Sequence, residues 1–159
     1  MTLTYLPDLP TFPGLIWVPF NAGHVAVMNI TAQNYQSISK GLDVGRMLEM
    51  QANSGHAITA ILHGRPVACF GSVKIWTGVE EMWCFLEERA RKYPLALTKA
   101  AIDYRDFRVL SASLHRLQIT VRCKDKRAVR WGQAIGFEIE GLMKKYGPDQ
   151  ADFYMMSRS

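Results

Sequence analysis

The sequence predicts a mixed α/β domain, with a central sheet of about six to seven strands flanked by helices. Three observations carry this. Strand-like runs recur at residues 24–30, 56–63, 66–76, 79–86, 117–123, from Gly136-Phe137 to 141, and at 152–157. Runs with helical spacing separate them, at 31–48, 94–113 and 125–135. A chain of 159 residues, 48% hydrophobic, is long enough for one full core and short for two.

Taken in order, residues 1–20 hold four of the seven prolines, at Pro7, Pro10, Pro13 and Pro19. Such a segment is extended rather than helical. Phe12, Leu15, Ile16 and Trp17 give this arm apolar anchors, which favours packing on its own domain, residues 21–159, over reaching for a partner. His24–Ile30 alternates enough to be the first strand. Thr31 then reads as an N-cap with Tyr35, Ile38 and Leu42 on one face, and Asp43 as the cap of a second helix carrying Val44, Met47 and Leu48. His63-Gly64-Arg65 forms a hairpin between two strands, with glycine supplying the turn. In the next strand, Val79–Leu86, alternation puts Glu81, Trp83 and Phe85 on one face and Glu80, Met82, Cys84 and Leu86 on the other. Pro94 suits the first turn of a helix that runs through Leu97, Ala101 and Tyr104.

Composition narrows the function. Net charge is +5, and residues 1–39 contribute −1 through Asp8, so the remainder carries +6. A basic half suits a polyanion, either a nucleotide cofactor or a nucleic acid. No nucleic-acid-binding module or interleaved aromatic platform accompanies the charge, which disfavours the second. Cys69, Cys84 and Cys123 are odd in number without C-x-x-C spacing, as expected of free thiols in a reducing cytosol. The four histidines have no ligand-like spacing, so no metal is expected. Neither a signal peptide nor a membrane span is expected, and the expected location is cytoplasmic.

The most informative stretch is Asp125–Gly141, DKRAVRWGQAIGFEIEG. Asp125 caps an amphipathic helix, Ala128, Trp131 and Ile135 form its apolar stripe, and Gly136 ends it. Strand, short helix and Gly-Phe in this order resemble the C-terminal half of the GCN5-related N-acetyltransferase (GNAT) superfamily. That family often carries N-x-x-A-(x)3-Y-(x)3-G-F, and this chain has Asp125, Ala128, Gly132 and Gly136-Phe137 at that spacing. The resemblance covers about residues 24–158 and implies a mostly antiparallel sheet. It also implies acetyl-CoA, or another acyl-CoA, as cosubstrate, and acyl transfer to an amine.

The family's pyrophosphate motif, Q/R-x-x-G-x-G/A, falls on Arg89-Ala90-Arg91-Lys92-Tyr93-Pro94. Arg89 fits, while Lys92 and Pro94 replace the small residues. Fewer close amides are available, and Arg89, Arg91 and Lys92 bring cations instead. Lys124, Lys126, Arg127 and Arg130 form a second basic group at the facing helix. The resemblance places thioester-holding backbone at Phe85, Leu86 and Glu87, around a strand bulge, and a general base at Glu80 or Glu81. It places cofactor contacts at Asp125, Arg127, Ala128 and Trp131. Gly132 stands where the family often has its general acid, leaving Tyr93, Tyr104, Tyr146, Cys84 or water for that role.

HGRPVACFG, GFEIEGLMKKYG and DFYMMSR further resemble divergent acetyltransferase-like proteins of short-tailed phages, some of them internal virion proteins. That resemblance implies a phage-encoded acyltransferase acting on an amine of the host, either a protein or a small molecule. The alternative is a catalytically degenerate GNAT fold used to bind a host protein or in the virion. The partners implied are an acyl-CoA and a host protein, without nucleic acid or membrane, and a dimer is compatible with the sequence.

Overall fold

Seven strands make one sheet in the computed structural model, which describes residues 9–30 and 44–159. They are β1 (Leu15–Pro19), β2 (Ile58–Leu62), β3 (Arg65–Trp76), β4 (Val79–Leu86), β5 (Arg116–Arg122), β6 (Glu138–Met143) and β7 (Phe153–Arg158). The helices are α1 (Ala22–Val27), α2 (Val44–Asn53), α3 (Pro94–Ser111) and α4 (Lys126–Ala134), with a 3-10 turn at Glu88–Lys92. Strand order is β1-β2-β3-β4-β5-β7-β6. Every pairing is antiparallel except β4 with β5, so the sheet is mixed and mostly antiparallel, as expected.

The first strand differs from expectation. Residues 22–27 are helical, because Asn21 caps them: its Oδ1 accepts from the Gly23 N–H at 2.7 Å, and the His24 Nδ1 accepts from the Asn21 N–H at 3.1 Å. The valine alternation that suggests a strand there is overridden by this cap. The edge strand is instead Leu15–Pro19, which pairs with β2, so the sheet takes in the end of the proline-rich segment. Proline is tolerated at Pro19 because an edge strand has one row of N–H groups without a partner. Gly14 makes the entry to β1. Its φ is +92°, its carbonyl accepts from the His63 N–H at 2.8 Å, and a Cβ there would lie 2.3 Å from the His63 ring. The helix expected after Thr31 lies outside the described residues, whereas the one carrying Leu48 is α2, with Leu48 buried.

The sheet has two covered faces. Phe70, Met82, Leu86, Leu117 and Met156 meet Ala100, Ala101 and Tyr104 of α3 and Ile135 at the end of α4 in the larger core. On the other face, Cys69 and Phe85 meet Phe20, Met28 and Leu48, with Trp83 at the margin. The alternation read in 79–86 therefore holds, because each face of β4 serves a different core. The β3–β4 register is unbroken from Lys74↔Glu80 to Ala68↔Leu86. No helix among the described residues is long and apolar enough to cross a membrane.

Candidate functional site

The parallel pairing of β4 with β5 covers only Val79↔Arg116, Glu80↔Leu117 and Glu81↔Gln118. Beyond Glu81 the two strands diverge, and a cavity of about 540 Å³ opens between them and beneath the first turns of α3 and α4. Met82, Cys84 and Leu86 line one wall, Ile119 and Val121 the other, and Leu97, Trp131 and Gly132 close it from above.

Backbone direction makes the β4 wall chemically active. The Glu87 N–H donates to the Val67 carbonyl at 2.9 Å, toward β3. N–H direction alternates along a strand. Phe85 and Trp83 therefore also face β3, while the N–H groups of Leu86 and Cys84 point into the gap, beyond the last pair of the two strands, Glu81↔Gln118. These donors need no bulge, and the continuous β3–β4 register has none at 80–86. Of the expected thioester-holding residues, Leu86 faces the cavity. Phe85 is in the second core, and Glu87 accepts from the Asn29 N–H at 2.8 Å and from the Arg89 Nε at 2.7 Å.

The two candidate carboxylates separate sharply. Glu80 is buried and accepts from Arg108 Nε and Nη2 at 3.0 and 2.8 Å and from the Ser72 hydroxyl at 2.6 Å. Burial pushes its carboxyl up, but Arg108 and Ser72 outweigh that and hold it below the usual value. Glu81 lines the cavity where pairing ends. Its Oε1 accepts from the Gln118 Nε2 at 3.0 Å, and the Gln118 Oε1 in turn accepts from the Arg116 Nε at 3.0 Å. Trp83, the next residue on that face, is fixed by its indole N–H donating to Gln51 at 2.9 Å. It lies over Gly71, whose missing side chain leaves it room.

Cations cluster at the opposite end. Arg91, Arg127 and Arg130 line the cavity with Pro94, Asp125 and Ala128. Asp125 accepts from the Ala128 N–H at 3.0 Å and caps α4, while the Trp131 indole N–H donates to Thr98 at 3.1 Å and ties α4 to α3. Neither helix has an acidic residue in its first turn. Glu88 is the anion between two of the cations, its Oε1 3.4 Å from Arg91 Nε and its Oε2 3.9 Å from Arg127 Nη2, and the helix ends add positive potential beside them. Of the expected phosphate-binding residues, Arg91 and Pro94 reach the cavity. Arg89 is paired with Glu87, Ala90 is in the core, Tyr93 stacks on Phe12, and Lys92 does not line the cavity.

The alternative proton donors sort by position. Tyr104 is fully buried, its phenol pushed up by burial, and its hydroxyl lies 3.1 Å from His56 Nδ1. Cys84 lines the cavity, but burial pushes its thiol up to about 12, partly countered by Arg91. Tyr146 is half exposed, and its ring packs 5.4 Å from that of Phe153, tilted by 59°, at the cavity wall. Partial burial raises its pKa, and the Glu81 charge raises it further, which puts the two side chains in one electrostatic neighbourhood. Gly132 has a packing reason: a Cβ there would lie 3.1–3.3 Å from Ile119 and Met156, so the glycine lets α4 lie close on the sheet. Among the described residues, no group of three or more His, Cys, Asp or Glu could hold a metal ion.

An acyl-CoA fits this arrangement on three counts: a largely apolar cavity of about 540 Å³, inward backbone donors on one wall, and cations at one end. Thr98, Ile119 and Gln118 are further members, and Arg130 comes from the second basic group already read in the sequence. Arg130 was legible as the helical neighbour of Arg127, whereas the others depend on the divergence of β4 and β5, which no local pattern announces.

No protein-family model and no curated protein matches the sequence. Solved structures do match. A GNAT-family acetyltransferase from Bacillus anthracis superposes with a TM-score of 0.69 at 16% identity, covering 91% of this chain and 93% of that one. The ribosomal-protein-S5-alanine acetyltransferase of Vibrio fischeri gives 0.69 at 13%, covering 93% and 94%. The yncA protein of Salmonella typhimurium, solved with its cofactor acetyl-CoA, gives 0.62 at 12%, covering 92% and 94%. The likeness at these identities is one of architecture, and it extends over nearly the whole of each chain: this protein has the GNAT acetyltransferase fold.

Proposed function

We propose that the protein is an acyl-CoA-dependent N-acyltransferase. The observation that carries the reading is the gap between β4 and β5, with Glu81 at the closed end and Arg91, Arg127 and Arg130 at the other. A bound acyl-CoA supplies an activated thioester. The Leu86 and Cys84 N–H groups donate to the carbonyl oxygen on which negative charge develops. Glu81, oriented by Gln118, takes the proton that an acceptor ammonium must lose before its nitrogen can attack. Tyr146, beside the Phe153 wall, returns a proton to the leaving group in this reading. Arg91, Arg127 and Arg130 hold the phosphates through charge-assisted hydrogen bonds where the family commonly uses glycine-permitted amides. Glu80 stays paired with Arg108 and shapes β4 from the opposite face.

The phage-protein resemblance supports a host amine, on a protein or a small molecule, as acceptor. Gly132 and the glycine-poor turn support a second reading, a fold retained for binding a host or virion protein. Steady-state transfer from acetyl-CoA to a panel of peptide and small amines separates the two. The enzyme reading expects turnover by the wild type, and Glu81→Gln to lower kcat by about 10²-fold or more with little change in KM for acetyl-CoA. Wild-type turnover unaffected by Glu81→Gln would remove Glu81 from the mechanism. No turnover with any acceptor, in a protein that binds the cosubstrate, would favour the binding module.

A further inference from the structure

The turn that links β4 to α3 carries no glycine, and it is held both by its own residues and by the N-terminal arm. It is a 3-10 turn over Glu88–Lys92, with Arg89 paired to Glu87 at 2.7 Å and Arg91 to Glu88 at 3.4 Å. Ala90 and Tyr93 donate to the carbonyls of Glu87 and Ala90 at 3.0 and 3.1 Å, and Tyr93 precedes α3 without a side-chain cap. The Tyr93 ring is not free, however. It stacks on Phe12 at 4.9 Å between centroids, with 28° between the planes.

Phe12 is itself firmly held. Its carbonyl accepts from the Leu15 N–H at 2.9 Å, and the Trp17 indole N–H closes onto the Pro10 carbonyl at 3.0 Å. Pro10 and Pro13 bracket it and restrict its backbone before any contact forms. Little ordering entropy is therefore left to lose when the ring meets Tyr93. A crevice of only about 30 Å³ separates Phe12 from the first turn of α3, at Ala96 and Leu97.

We infer that Phe12 is a positioning residue for the cosubstrate site: the N-terminal arm braces Tyr93 and so fixes the turn that presents Arg91 and the first amides of α3. This rests on the acyl-CoA reading above. The stack holds from outside a turn whose cations, rather than glycine-permitted amides, face the cavity. Phe12 lines neither the cavity nor any wall a cosubstrate touches, so its effect passes through Tyr93.

The test uses the full chain and its Phe12→Ala, Phe12→Leu and Phe12→Tyr variants, with two readouts. One is amide hydrogen exchange of the free protein, and the other is calorimetric titration with CoA. The expected result is faster exchange confined to residues 88–97 in Phe12→Ala and Phe12→Leu, with β5–β7 unchanged. CoA affinity falls about three- to tenfold, the scale of one aromatic stack, and Phe12→Tyr restores both. Phe12→Leu keeps the apolar contact, and so serves if Phe12→Ala does not fold. Unchanged exchange at 88–97 overturns the brace, as does faster exchange with unchanged affinity. A wild type that exchanges normally but does not bind CoA overturns the acyl-CoA reading instead, and exchange alone then decides the brace.

Discussion

Glu80 and Glu81 are neighbours in sequence, and alternation sends them to opposite fates. Glu80 has been drawn into a pair with Arg108 in which both side chains are about a tenth exposed or less. Removing one partner leaves the other charge buried and unmatched, so Arg108→Met is expected to destabilise the fold by about 3–5 kcal/mol, measured by urea denaturation. Glu80 has a depressed carboxyl pKa when folded, so its contribution is complete above its ordinary value of 4.5 and is lost as pH falls through the folded value. His56 acts at higher pH. Burial, with the nearby Arg108 charge, lowers it from 6.5 to about 4 against the opposing pull of Glu80. Unfolded chains bind that proton first, so stability should decline as pH drops from about 6.5 toward 4. Replacing His56 with Gln should remove much of that decline in a pH series of thermal melts, and an unchanged slope would assign it to other groups. The sequence offered both glutamates equally as bases, because the partner that claims Glu80 lies 28 residues away on α3.

At the scale of elements, α4 was the most legible part of the chain. Its cap, apolar stripe and closing glycine all sit where the sequence puts them. Gly136 has φ +99°, its N–H donates to the Gln133 carbonyl, and the Phe137 N–H donates to the Gly132 carbonyl, both at 3.0 Å. Asp125→Ala should cost about 1 kcal/mol through the lost cap, and Asp125→Asn much less. Equal losses in the two variants would mean that the charge, not the cap, matters. Residues 15–30 were the least legible. A proline-bearing edge strand and a six-residue helix are both set by partners outside themselves, β2 for the first and an Asn21 cap for the second. Local alternation at 24–30 points the other way. The cationic end of the cavity was legible as charge but not as geometry: Arg89 and Arg91 are two residues apart, yet one turns to Glu87 and the other to Glu88 and the cavity.

For the whole molecule, the central claim is that a sheet parted between β4 and β5 holds an acyl-CoA, gripped at its phosphates by side chains rather than by glycine-permitted amides. A side-chain grip is electrostatic, so affinity should weaken as salt rises from 50 to 500 mM, and more steeply than for a loop that binds through amides. The most direct measurement is calorimetric titration of the purified protein with acetyl-CoA, alongside the double variant Arg91→Glu/Arg127→Glu and a Lys92→Gln control. The account predicts micromolar binding by the wild type and by Lys92→Gln, and its loss in the double variant. A folded wild type that takes up no acetyl-CoA at millimolar concentration, or a double variant that binds as tightly as the wild type, would contradict it.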